Sequence, residues 1–379
     1  MNIFNRGMVQ SAVAMTILVA THASAADPIK IGLVMPFSGP AAAYGIEARQ
    51  AAELAVEEMN AAGGVVGGRM LRVVYEDDKG TPQGAVGATQ KQISVNRVDA
   101  IVGGMGSQLA LAQASVTNNR ILYVNSAAQA EAITEQGNKW LFQINNTTNM
   151  NSAAFNKYVI STMKPKTVAF IGENTEFARP LLNILKRDLA EAKIELVNVS
   201  LYDTETNDFT SIITRVRSLN PELVYVADGA PARLVQFWKQ ARQLGGFRAG
   251  AVTPGVVTPT VLKASEGAMD GVISGDIFSA SDSAPETQSF VKAFRKKYNA
   301  DPGKVHLVVY EGVKVIAGAM EKAKTSSNYA ALAQAMRENA WNTPRGTLRF
   351  DAKGRAHAPY FYIQRVKGAS LELVSRWQN

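Results

Sequence analysis

Short apolar runs alternate with amphipathic stretches along most of this chain. P-I-K-I-G-L-V-M, Pro28 to Met35, reads as a buried strand ended by Pro36. From Ile46 to Ala61 the spacing turns helical through Ala48, Ala52, Ala55, Val56 and Met59, and Gly63-Gly64 supplies a stop. Met70 to Tyr75 predicts a second strand, then a helix starts near Gln83, and Ile121 to Val124 predicts another strand. The rhythm restarts with strands at Val168 to Ile171, Glu195 to Ser200 and Leu223 to Ala227. Helices at Pro180 to Ala192, Phe209 to Leu219 and Ala232 to Leu244 separate and follow them. Near Val272 to Ile277 the pattern breaks into a loop, followed by helices at Glu286 to Tyr298, Val305 to Lys324 and Tyr329 to Glu338. Thr347 to Phe350 and Tyr360 to Val366 alternate as antiparallel strands do. Strands and helices in alternation with short connections predict parallel sheets covered on both faces. Two such series predict an α/β protein of two doubly wound lobes with a cleft between them.

One stretch carries the clearest chemistry. In A-I-V-G-G-M-G-S-Q-L-A-L-A, Ala100 to Ala112, an apolar strand meets a glycine-rich turn and then a helix. Ligands of open α/β sheets bind beyond the carboxyl ends of strands, and a helix N-terminus there favours an anion. Ser107 offers a hydroxyl and an N–H at that point, and Gly103, Gly104 and Gly106 present no side chain. The same pattern also fits an ordinary tight strand-to-helix turn. A comparable turn after the first strand, F-S-G-P-A-A-A-Y-G, carries Ser38 and Tyr44.

Length and composition narrow the class. The 379 residues suit two domains, and 46% hydrophobic with 19% charged residues is a globular balance. The net charge of +8 is dispersed, with no basic run longer than Arg295-Lys296-Lys297, so a solvated surface is expected and nucleic acid is not. At the N-terminus Arg6 precedes the apolar segment Ala12 to Ala20, and Ala23-Ser24-Ala25 forms a small-x-small site. That is a secretory signal peptide over residues 1–25, too short to span a bilayer. There is no Cys, hence no disulfide frame, thiol site or lipid-anchoring residue after the cleavage point. The mature chain is expected to be soluble and exported.

Catalysis finds no support. His306 and His357 lack metal-ligand neighbours at useful spacing, Asp77-Asp78 lie in a loop, and no G-x-S-x-G elbow, Walker loop or G-x-G-x-x-G is present. The protein is expected not to be an enzyme, with no cofactor and no metal.

Several stretches together resemble the leucine/isoleucine/valine-type (type I) periplasmic binding proteins, the solute receptors of ABC importers. They are I-K-I-G-L-V-M-P-F-S-G-P-A-A-A-Y-G, M-N-A-A-G-G-V-V-G-G-R, E-D-D-K-G-T-P-Q-G-A-V, I-V-G-G-M-G-S-Q-L-A-L-A, and L-V-Y-V-A-D followed by Q-A-R-Q-L-G. The resemblance implies two lobes joined by three crossing segments, near Phe142 to Asn146, Gly275 to Phe278 and Arg345 to Phe350. Residues 26–143 plus 277–346 would form lobe 1, and 144–276 plus 347–379 lobe 2. It further implies a small-molecule carboxylate as ligand, an ABC permease at the inner membrane as partner, a monomer, and a periplasmic location. A ligand sensor for a membrane signalling partner is the competing role.

Site residues follow from the same resemblance. Ser107 and the N–H groups around Gly106 would hold a ligand carboxylate, and Ala127, Ala128 and Gln129 would add contacts. Tyr44, Met105 and Phe177 would line the ligand body. As residues alone, Tyr44 also fits a packed loop aromatic and Phe177 a staple at a helix entry. Two departures separate this chain from the amino-acid receptors. Gln129 stands where they typically carry a Thr that helps hold the α-ammonium. The loop after Ala251-Val252, T-P-G-V-V-T-P, lacks the Glu that neutralises it. A buried ammonium needs a partner, so either Asp228 (or, next, Glu173) substitutes, or the ligand is an apolar or aromatic acid without an amino group. Ala230 replaces a further family aromatic and leaves room for a larger ligand. The expectation leans toward the non-amino acid, with a branched-chain amino-acid receptor using Asp228 as the alternative.

Overall fold

The computed structural model describes Met1 and residues 27–378, so the expected signal segment, Met1 apart, lies outside the described residues. The first series is β1 (Ile29–Met35), α1 (Ala42–Ala61), β2 (Leu71–Asp77), α2 (Pro82–Lys91), β3 (Ala100–Gly103), α3 (Ser107–Thr117), β4 (Tyr123–Asn125) and β5 (Leu141–Gln143). These strands form one parallel sheet in the order β2-β1-β3-β4-β5. Alternation along the strands fills both faces: Ile31, Leu33 and Val102 point to one core, Val34, Ile101 and Tyr123 to the other.

The second series repeats the design. It comprises α4 (Thr148–Tyr158), β6 (Thr167–Glu173), α5 (Ala178–Glu191), β7 (Glu195–Tyr202), α6 (Thr210–Ser218), β8 (Leu223–Ala227), α7 (Pro231–Gln243), β9 (Gly250–Val252), α8 (Pro259–Ser265) and β10 (Ile273–Asp276). The chain then returns to the first sheet through α9 (Pro285–Tyr298), α10 (Lys304–Ala323) and α11 (Tyr329–Glu338). A small antiparallel sheet follows, β11 (Trp341–Thr343), β12 (Gly346–Phe350) and β13 (Ala356–His357). Finally β14 (Tyr360–Lys367) and β15 (Ser370–Gln378) pair antiparallel at the edge of the second sheet, whose order is β15-β14-β10-β9-β8-β6-β7. The chain thus crosses between the sheets three times: after β5, after β10 and after β12–β13. Among the described residues no helix is long and apolar enough to cross a membrane.

Three elements differ from the pattern-based expectation. Helix α1 begins at Ala42 and not Ile46, so Tyr44 is helical; its Gly45 fits because a Cβ there would lie 2.4 Å from the Pro36 carbonyl oxygen. Residues 273–276, expected in a loop, are the inner strand β10; I-S-G-D shows no apolar run because polar Ser274 and Asp276 are themselves buried. Helix α4 has no apolar stripe, since Thr148, Asn151, Ser152 and Asn156 are buried beside Phe155 and Tyr158. Binary patterning does not reveal an element whose inner face is polar.

Candidate functional site

Both sheets have the doubly wound order whose topological switch point, between the first and third strands of the unit, marks a ligand crevice. In the first sheet that point lies between β1 and β3, where Tyr44 of α1 and Met105, Gly106 and Ser107 at the start of α3 converge. In the second it lies between β6 and β8, which deliver Glu173, Phe177 and Asp228. The two crevices face each other. Tyr44, on the first lobe, has its hydroxyl pKa raised well above the usual value by burial, then by the charges of Glu47, Asp228, Glu173 and Asp276. Three of those four acids come from the second lobe.

The Gly103–Gly106 turn has two jobs. A Cβ on Gly103 would lie 2.4 Å from Gln113 Oε1, and one on Gly104 2.1 Å from Asn125 Oδ1, so these two glycines serve packing within the protein. Gly106, at φ 91°, precedes α3 without a side-chain cap. The first-turn amides of α3 therefore have no partner within the helix. Ser107 Oγ is buried and has no hydrogen-bond partner in the protein, and the Tyr44 hydroxyl is in the same condition. Buried polar atoms are rarely left so, and at a helix N-terminus the donors suit an anionic oxygen.

Other expected contacts are already committed. The Ala128 N–H donates to the Gly104 carbonyl at 2.7 Å, its carbonyl accepts from Asn125 Nδ2 at 3.0 Å, and the Ala127 carbonyl accepts from Asn145 Nδ2. Of the main-chain groups expected at this pair, the Ala127 N–H is the one without such a partner. Gln129 accepts from Asn151 Nδ2 at 2.8 Å and donates through Nε2 to the Pro254 carbonyl at 3.2 Å. It thereby joins the first lobe to the loop after β9. Thr260 Oγ1, on α8, donates to Glu47 Oε1 at 2.7 Å, and Gly255 packs against Lys304, so residues 254–260 are the part of the second lobe that docks on the first.

Asp228, expected as the substitute for the missing Glu, is engaged by groups of its own lobe. Arg233 donates to both its oxygens (Nε to Oδ2 2.7 Å, Nη2 to Oδ1 2.8 Å), Tyr202 donates to Oδ2 at 2.7 Å, and the Ala230 N–H to Oδ1 at 2.8 Å. Arg233 also pairs closely with Glu173, which accepts from the Gly229 N–H at 3.2 Å. Two buried acids share one guanidinium, and burial followed by the Asp228 charge raises the Glu173 carboxyl to about 7. Phe177 is half-buried at the start of α5 and flanks Gly229. Arg233 was missed by sequence reading, although its place five residues after Asp228 in the first turn of a helix was a signal. Lys304 was also missed. It is 4% exposed at the first position of α10, beside Gly255. A lysine opening an apolar helix, where the helix dipole opposes a cation, was the available sign.

This is the architecture of a two-sheet binding protein, with unpartnered donors at one switch point and charged groups at the facing one. The chain belongs to the periplasmic binding protein family, whose pattern it matches over residues 28–370. It is 28% identical over 337 residues to the leucine-, isoleucine-, valine-, threonine-, and alanine-binding protein of Pseudomonas aeruginosa, covering 88% of this chain and 89% of that one. In fold it resembles the branched-chain amino acid transporter substrate binding protein LivJ of Streptococcus pneumoniae in complex with isoleucine. That likeness has a TM-score of 0.85 at 22% identity, with 93% of this chain and 100% of that one covered. It equally resembles a solute binding protein of R. palustris in complex with benzoate, with TM-score 0.82, 22% identity, and coverage of 92% and 96%. By family the protein is a solute-binding receptor and not an enzyme.

The buried acids make a pH prediction. Burial raises Glu47, Asp78 and Glu173 to about 7 and Asp276 to about 6. Folded-state values above the unfolded ones mean that these groups favour the folded state at low pH and lose that contribution as pH rises through about 7. His306, lowered by burial to about 3, acts oppositely between its ordinary value of 6.5 and 3. These four acids, with Glu311 also raised by burial, against one histidine should make the melting temperature rise as pH falls from 8 to 5. A melting temperature that falls over that range in scanning calorimetry contradicts this balance.

Proposed function

We propose that this receptor binds a small carboxylate lacking an α-amino group and delivers it to an inner-membrane ABC permease. The observation that carries the carboxylate is Ser107: a buried, unpartnered hydroxyl on the uncapped N-terminus of an eleven-residue helix at the switch point. Against an ammonium stand the saturated Asp228, the engaged Gln129 amide and the acid-free loop 253–258. The body of the ligand would lie against Tyr44, Met105 and Phe177, with Ala230 leaving space for a ring. An amino-acid ligand is the second reading, favoured by the two acids that share Arg233, with Glu173 as the group that would meet the ammonium. We further propose that lobe 1 comprises residues 26–143 plus 277–346 and lobe 2 the remainder of the mature chain. The receptor would be a monomer released to the periplasm by cleavage of the 1–25 signal peptide. Ligand bridging the lobes favours the closed form over the open one, and the closed surfaces would engage the permease.

A thermal-shift screen of the mature protein against amino acids, aliphatic acids and aromatic acids tests this directly, because a ligand of the folded state raises the melting temperature. Stabilisation by acids without an amino group is expected; stabilisation by leucine-like amino acids alone would select the second reading. Ser107→Ala is expected to weaken the stabilising acid by ~1.5–3 kcal/mol, the worth of a hydrogen bond to a charged group. Unchanged affinity in titration calorimetry would remove Ser107 from the site.

A further inference from the structure

Lys304 stands out among the charged groups of the cleft. It opens the 20-residue helix α10, is 4% exposed, and no carboxylate lies within ion-pair distance of its ammonium among the described residues. Its charge partners, Asp276 and Glu47, act from farther away: Asp276 accepts from the Ile277 N–H, and Glu47 Oε1 accepts from Thr260 while its Oε2 has no hydrogen-bond partner. Burial lowers the Lys304 pKa, and the N-terminal end of the helix dipole adds to the cost of a cation there. The opposite lobe makes room for this ammonium. Gly255, at φ 78°, faces it so closely that a Cβ would lie 2.6 Å from Nζ. A buried cation without a directly contacting carboxylate is expensive, and Asp276 and Glu47 offset that cost only from a distance.

Lys304 and Ser107 also approach the cleft from different sides. Helices α1 and α10 share the core containing Leu33, Val102 and Val124, whereas α2 and α3 share the core containing Val34, Ile101 and Tyr123. Successive strand residues point to opposite faces, so Ser107 on α3 and Lys304 on α10 flank the crevice from opposite faces of one sheet.

We infer that Lys304 is a second ligand anchor and sets specificity for carboxylates that carry a second anionic oxygen, a small di-acid with an apolar body. This rests on the carboxylate reading of Ser107 and deepens it. One carboxylate meets Ser107 and the α3 amides; the other meets the Lys304 ammonium, with closure bringing Gly255 over the pair and shutting out water. Lys304 then gains a counter-charge in direct contact, beyond the more distant Asp276 and Glu47.

Titration calorimetry on the full mature chain with matched probes tests the inference: adipate against hexanoate, and terephthalate against benzoate. The wild type is expected to favour the di-acid of at least one pair by about tenfold or more, the scale of one charge-assisted hydrogen bond. Lys304→Met is expected to reduce that preference to less than about threefold while leaving the mono-acid little changed, since only the charge-dependent contact is lost. Lys304→Gln, which keeps a donor and a polar head, should lose the preference equally, and melting curves establish that each variant is folded. A di-acid preference that survives both substitutions overturns the role of Lys304. Mono-acids bound as tightly as di-acids, with Ser107→Ala still weakening both, overturn this inference and leave the carboxylate reading intact. Binding of amino acids alone, or of no acid, overturns both.

Discussion

Arg345→Ala is expected to destabilise the protein by about 3–5 kcal/mol, the cost of removing one partner of a buried ion pair. Arg345 is 3% exposed in the turn between β11 and β12, and its Nε donates to Glu311 on α10 at 3.2 and 3.0 Å. Its Nη2 donates to the Ile144 carbonyl, in the first crossing, at 2.7 Å. One side chain therefore ties the first crossing and the β11–β12 turn to α10, and its loss leaves both a buried carboxylate and a carbonyl without this donor. Urea unfolding of the ligand-free protein measures the effect. Replacing both partners, Arg345→Met with Glu311→Leu, should recover much of the loss, because two apolar groups no longer leave a charge stranded. A single-variant loss below about 1 kcal/mol, the range of exposed pairs, would mean that the pair is solvated in solution.

Arg233→Ala should cost a similar amount, about 3–5 kcal/mol by the same reasoning, but with a different pH signature. Arg233 holds Asp228, which is fully buried, and Glu173, whose carboxyl already sits at about 7. Without the guanidinium, Glu173 loses the charge that lowers its pKa while the Asp228 charge that raises it stays, so Glu173 should hold its proton more tightly. Folded-state values that rise further above the unfolded ones make the loss larger at high pH and smaller at low pH. Melting curves of the wild type and variant at pH 8 and pH 5.5 should therefore converge toward the lower pH. A gap of equal size at both values would show that Arg233 acts through packing and not through charge.

The parts of this molecule legible in its sequence are those governed by local regularity. The β3–α3 turn was readable because a strand, a glycine-rich turn and a helix with a leading hydroxyl are contiguous, and that contiguity places Ser107 at a switch point. Tyr44 and Phe177 also lie just after a strand's carboxyl end, but their proposed roles came from the family resemblance. The limits are equally specific. Strand β10 and helix α4 bury polar side chains, so their inner faces resemble loops. Ala127 and Ala128 stood in the right loop, but Asn125, Asn145 and Gly104 take most of their main-chain groups, and this depends on how that loop folds back on itself.

The sequence by itself determined the class: alternating strands and helices in two series, with glycine turns at strand ends. Each of these is a property of neighbouring residues and survives any change in distant packing. The tertiary structure decided the electrostatics of the cleft. Only folding brings Arg233 between Asp228 and Glu173, which are 55 residues apart in the chain, sets Gln129 against Pro254, and lodges the Lys304 ammonium at Gly255. Whether a charge is free for a ligand depends on burial and on which groups reach it from other segments, and a linear pattern contains neither.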